Sequence, residues 1–180
     1  MVAESEGKGR RRGLIIVFTG DGQGKTTAAL GLALRAAGRR MRTVMIQFIK
    51  GSWKYAELAG ARMLEPYFTI RPMGRGFVDL SSGEPGEADV RAAREAFEAA
   101  KECVTSGKYD VVILDEINYA ICYRLIPLEE VVTLLRCKPE WVHVVLTGRH
   151  APADIIACAD IVTEMVELKH AFREGEEAVP

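Results

Sequence analysis

At 180 residues, with 48% hydrophobic residues and a formal net charge of −1, the chain has the size of one domain and enough apolar surface to build its own core. The near-neutral balance gives no general field for nucleic acid or an anionic membrane, so a charged ligand must be held locally. Cys103, Cys122, Cys137 and Cys158 form no CxxC pair and have no histidine cluster beside them, which argues against a zinc site or a disulfide framework and fits reduced thiols.

Residues 1–12 are polar, end in the basic run Lys8 to Arg12 and read as a flexible basic arm ahead of a single nucleotide-binding domain at 13–180. The arm lacks the apolar stretch of a signal peptide, and no run is long enough to span a bilayer, so a cytoplasmic location is expected.

The apolar run LIIVFT at 14–19 predicts a buried strand, and AALGLALRAA at 28–37 continues a helix that opens near residue 25. Between them lies GDGQGKTT, a strand, glycine loop and helix start in the order of a phosphate-binding loop. Its glycines let consecutive backbone N–H groups turn toward one anion, and the helix start adds partial positive charge. Gly20, Asp21, Gly22, Gln23, Gly24, Lys25, Thr26 and Thr27 are therefore the candidate ATP-binding residues. Lys25 supplies a full positive charge, and the Thr26 hydroxyl is placed to ligate a magnesium ion held by the same phosphates. The strict pattern GxxxxGK[ST] asks for glycine at position 19, where this chain has Thr19 and a glycine one residue later.

Further strands are predicted at 43–48, 68–73, 110–116, 142–148 and 160–168, and further helices at 87–105, 127–136 and 152–158. Near-continuous apolar strands alternating with helices predict a three-layer α/β fold of the phosphate-loop NTPase, RecA-like kind, with a mostly parallel sheet covered on both faces. Ligands of such sheets sit outside the carboxyl ends of the strands. The 51–86 segment is long, irregular and rich in Gly, Pro and aromatic residues, as binding loops are.

VVILDE at 111–116 puts two acids at a predicted strand end, where a sheet presents a carboxylate to a magnesium–phosphate complex. Asp115 is the candidate metal ligand. Glu116, directed to the other side of the strand or into the following turn, is placed to activate a nucleophile or bind ribose. Arg35, about three turns into the loop helix, and Arg149, directly after the strand VVLTG, are the candidate arginines.

TGDGQGKTTAALGLALRAAG, VMIQFIKGSW, MGRGF, VVILDEIN, IPLEEVV, VVLTGRHAP and ADIVTEM together closely resemble the phosphate-loop corrinoid adenosyltransferases, over nearly the whole chain after residue 12. That family reads TGxGxGKTT, which accommodates Thr19. The resemblance implies transfer of the 5′-deoxyadenosyl group of ATP to the cobalt of a reduced corrinoid, with release of triphosphate and a requirement for magnesium. It implies a triphosphate lying in the loop in the reversed sense, contacts of Arg35 and Arg149 with the phosphates, and Asp21 and Glu116 near the ribose. Lys25 and Glu116 become the expected catalytic residues, and Phe77 in MGRGF the aromatic packed under a corrin that has lost its lower axial ligand. Relatives carry tryptophan two residues after that phenylalanine, where this chain has Asp79. The resemblance further implies a homodimer and an external reductase, a flavoprotein, since the chain has no flavin motif of its own. The competing reading is a RecA-like ATPase or small-molecule kinase acting at the γ-phosphate, which the product separates: triphosphate for the first, ADP or phosphate for the second.

Overall fold

The structure, a computed structural model, describes residues 12–51, 56–76, 78 and 84–169. Its elements run β1 (Ile15–Thr19), α1 (Lys25–Ala37), β2 (Thr43–Gln47), α2 (Ala56–Arg62), β3 (Phe68–Pro72), α3 (Glu87–Thr105), β4 (Val111–Asp115), α4 (Ile117–Cys122), α5 (Leu128–Cys137), β5 (His143–Thr147), α6 (Ala153–Cys158) and β6 (Ile161–Glu164). All six strands pair in parallel in the order β3-β2-β4-β5-β1-β6.

The apolar runs are continuous because both faces of the sheet are covered. Val44, Ile46, Val112, Leu114, Val144 and Leu146 face one core with Phe97 of α3, Ile117 of α4, Leu135 of α5 and Ile155 of α6. The residues between them, Met45, Ile113 and Val145, face a second core with Ala29, Ala33 and Ala36 of α1 and Ala61 of α2. The alanines let α1 lie close on the sheet, as a glycine-bordered loop that must present the helix start at a strand end requires.

That division of helices also positions the site. The chain leaves β1 for α1 on one face, but leaves β4 and β5 for α4 and α6 on the other. Connections departing to opposite faces from the central strands leave a crevice at their carboxyl ends, the place where such sheets bind ligands. Two short helices, α2 of seven residues and α4 of six, stand where no helix is predicted.

Candidate functional site

The phosphate loop is shaped by contacts from outside it. Gly20 and Gly24 hold positive φ values of 93° and 107°. A Cβ at Gly20 would stand 2.4 Å from the Met165 carbonyl oxygen, which also accepts the Gly22 N–H at 2.7 Å. The segment just after β6 is thus the back wall of the loop, and only glycine fits against it at position 20. Thr19, in turn, is buried at the end of β1, where its hydroxyl accepts the Ala151 N–H at 3.1 Å and ties this strand to the loop after β5. The glycine expected at 19 is displaced because that position is structural.

α1 starts at Lys25 with no side chain capping its first turn, which leaves those N–H groups for an anion. Lys25 is buried and folds back to donate from Nζ to the Gly22 carbonyl at 2.6 Å. Burial pushes its pKa below the ordinary lysine value, against the charge of Glu116, which raises it. Thr26, one residue on, donates from Oγ1 to Asp115 Oδ1 at 2.9 Å. The two residues expected on the metal side are therefore in direct contact.

Asp115 is fully buried and accepts two further hydrogen bonds, from Thr147 Oγ1 to Oδ1 at 2.8 Å and from Gln47 Nε2 to Oδ2 at 3.1 Å. Glu116 leaves the strand in a left-handed conformation, φ 64°, at the N-cap position of α4, and its side chain makes no capping hydrogen bond there. Its carboxyl is raised from the usual range to about 7, first by burial, then by the adjacent Asp115, with Lys25, Lys50 and Arg149 pulling the other way. Glu116 Oε2 is buried and has no hydrogen-bond partner. Lys50, itself paired with Glu57 at 2.7 Å, adds positive charge on the same side.

At the mouth, Arg149 Nε stands 3.7 Å from Asp21 Oδ1, and both side chains are exposed. Gln23 and Thr27 are exposed on the loop and the first turn of α1. The structure thus brings Asp21, Lys25, Thr26, Asp115, Glu116 and Arg149 into one crevice. It does not bring Arg35 there. Ten residues beyond Lys25 on a helix rising 1.5 Å per residue, Arg35 sits about 15 Å away along α1. There it lines a cavity of about 250 Å³ with Leu14, Val111 and His143, at the amino ends of β1, β4 and β5. Phe77, Asp79 and residues 1–11 lie outside the described residues.

Sequence reasoning missed Gln47, Thr147 and Asn118, all buried, the last donating from Nδ2 to the Gly148 carbonyl at 3.1 Å. The available signal was a polar residue closing an apolar strand, as in TVMIQ and HVVLT.

Comparison with known proteins gives the same direction at two depths. A family model described as ATP:corrinoid adenosyltransferase BtuR/CobO/CobP matches residues 11–180. The chain is 42% identical over 168 residues to the corrinoid adenosyltransferase of Escherichia coli K12, covering 93% of this chain and 83% of that one. It is 40% identical to corrinoid adenosyltransferase CobA of Salmonella typhimurium, with the same coverage. Among solved structures, the flagellar accessory protein FlaH from Methanocaldococcus jannaschii matches with a TM-score of 0.59 at 13% identity, over 87% of this chain and 72% of that one, a likeness of fold alone.

Proposed function

Because the chain belongs to the ATP:corrinoid adenosyltransferase family, we propose that its crevice holds the triphosphate of ATP as a leaving group. The electron pair of Co(I) in the corrinoid substrate forms the new bond to the ribose 5′ carbon, the C5′–O bond breaks, and triphosphate departs with that bonding pair. The observation that carries this reading is the contact of Thr26 with Asp115 at 2.9 Å, beside Lys25 at the uncapped start of α1. It joins the anion-binding and acidic halves of the site. A buried carboxylate and a hydroxyl are hard oxygen donors that suit magnesium, which would neutralise phosphate charge there.

Each residue then has a role that its surroundings support. Lys25 and the loop N–H groups stabilise charge gathering on the departing triphosphate, a contribution larger in the transition state than in bound ATP. Arg149 reaches the same anion from the mouth. Glu116, with its unpartnered buried Oε2, accepts a hydrogen bond from the ribose, and Asp21 lies on the ribose side of the loop.

The corrinoid lies over the stretch that follows β3. Met73 and Gly74 donate their N–H groups to the Gln47 carbonyl at 3.0 and 3.1 Å, and Gly76 to that of Ile49 at 2.8 Å, which fastens the lead into Phe77 beside the carboxyl end of β2. Phe77 displaces the lower axial ligand, a flavoprotein reductase supplies the electron, and the enzyme works as a homodimer in the cytoplasm. Among the described residues no helix is long and apolar enough to cross a membrane.

The test is incubation with ATP, magnesium and chemically reduced corrinoid. A light-sensitive cobalt–carbon product with stoichiometric triphosphate is expected. Release of ADP or phosphate instead makes the protein a γ-phosphate enzyme.

A further inference from the structure

Thr147 closes β5 fully buried, and its hydroxyl makes hydrogen bonds to the last residue of β4 and to the residue after it. It donates to Asp115 Oδ1 at 2.8 Å and accepts the Glu116 N–H at 2.9 Å. A hydroxyl has one proton, so the first bond uses it and leaves the oxygen lone pairs for the second. The β4–β5 ladder ends with Leu114 opposite Leu146, and this hydroxyl takes the place of the next rung.

The consequence reaches both acids. Asp115 is fixed at its carboxylate, whereas Glu116 is fixed at its backbone, in the left-handed conformation that a residue with a Cβ adopts only when held. The next residue, Gly148, has φ 124°, and a Cβ there would stand 3.2 Å from Glu116 Oε2. The end of β5 therefore both turns Glu116 inward and leaves space for its carboxyl. Thr26 and Gln47 also bond Asp115, but neither bonds Glu116. Among the described residues, Thr147 alone bonds the two acids together.

We propose that Thr147 is a positioning residue for adenosyl transfer, whose single buried hydroxyl aims Asp115 at the triphosphate side and Glu116 at the ribose side simultaneously. The inference rests on the roles given to those acids above.

Thr147→Val replaces the hydroxyl by a methyl at nearly constant volume. At saturating ATP, kcat is expected to fall about 100-fold, the scale of a reacting group misplaced by an ångström, while KM for ATP shifts less than about threefold because the phosphate loop is untouched. Thr147→Ser restores the hydroxyl and should recover kcat to within about tenfold of wild type. Wild-type kcat in the valine variant overturns the proposal, as does a rise in KM alone, or a serine variant as impaired as the valine one. Should the valine variant not fold by circular dichroism, Thr147→Cys, with similar volume and a weak donor, decides: at least about tenfold loss of kcat supports the role and unchanged kcat removes it. If wild-type protein forms no adenosylated corrinoid, the functional reading fails and takes this proposal with it. If wild type and the valine variant turn over alike, only Thr147 loses its role.

Discussion

Lys25 is bonded to its own loop, with Nζ on the Gly22 carbonyl and burial lowering its pKa. A triphosphate relieves both conditions, since it replaces one carbonyl with several formal charges and favours the protonated amine. Lys25→Ala should therefore cut kcat by roughly 10²–10³-fold, about 2.7–4 kcal/mol of barrier stabilisation, with an unchanged circular dichroism spectrum. Turnover within twofold of wild type would remove the lysine from the mechanism. Glu116 offers a second, independent reading. Its folded pKa, raised to about 7 from 4.5, means that the fold disfavours the ionised form. The stability associated with the protonated carboxyl is complete below about pH 4.5 and is lost as pH rises through about 7. Glu116→Gln, which stays neutral, should be more stable than wild type at pH 8 by up to about 3 kcal/mol, with the gap closing at pH 4.5. Denaturant melts of both proteins at the two pH values measure it, and a pH-independent gap would mean that Glu116 ionises freely. Its turnover should fall even where its stability gains, because a buried acceptor near the ribose is exchanged for an amide.

Glycine 20 belongs to an arrangement of elements, the end of β1 against the segment after β6. Gly20→Ala would place a Cβ 2.4 Å from the Met165 carbonyl in a left-handed backbone, so loop and segment must part. A loss of more than about 1–2 kcal/mol in stability is expected, together with weakened ATP binding by calorimetry, whereas intact ATP affinity would show that the back wall is dispensable. The same element explains what could be read from the chain beforehand. The four inner strands β1, β2, β4 and β5 were legible because each is apolar on both sides, and α1 and α3 because 13 and 19 residues suffice for a period. Met165 was illegible as the loop's wall, since that contact joins residues brought together by β6 lying beside β1. Gln47 and Thr147 were illegible as partners of Asp115 for the same reason, although each is a polar residue in an apolar strand.

At the scale of the whole molecule, the two substrates must meet although the sites proposed for them draw on different parts of the sheet. The nucleotide crevice lies at the ends of β1, β4 and β5, and the stretch before Phe77 is fastened to the end of β2, whose last residue, Gln47, also bonds Asp115. Although Gln47 joins the two parts, the proposed roles of Phe77 and of the phosphate loop fall on different residues, so they are expected to be separable by mutation. Phe77→Ala should leave ATP affinity within about twofold, since the loop and its acids are untouched. Its effect should depend on how cobalt is supplied. An apolar side chain under the ring excludes a ligating base, and losing that axial ligand destabilises Co(II) relative to Co(I). Adenosylation starting from Co(II) with a reductase should therefore fall further than adenosylation of chemically prepared Co(I), where the reduction is already complete. Rates under the two regimes, with spectroscopy of the bound Co(II) species, give the comparison. Equal losses would leave Phe77 a packing residue, and a four-coordinate Co(II) signal surviving in the alanine variant would assign removal of the lower ligand to some other part of the chain.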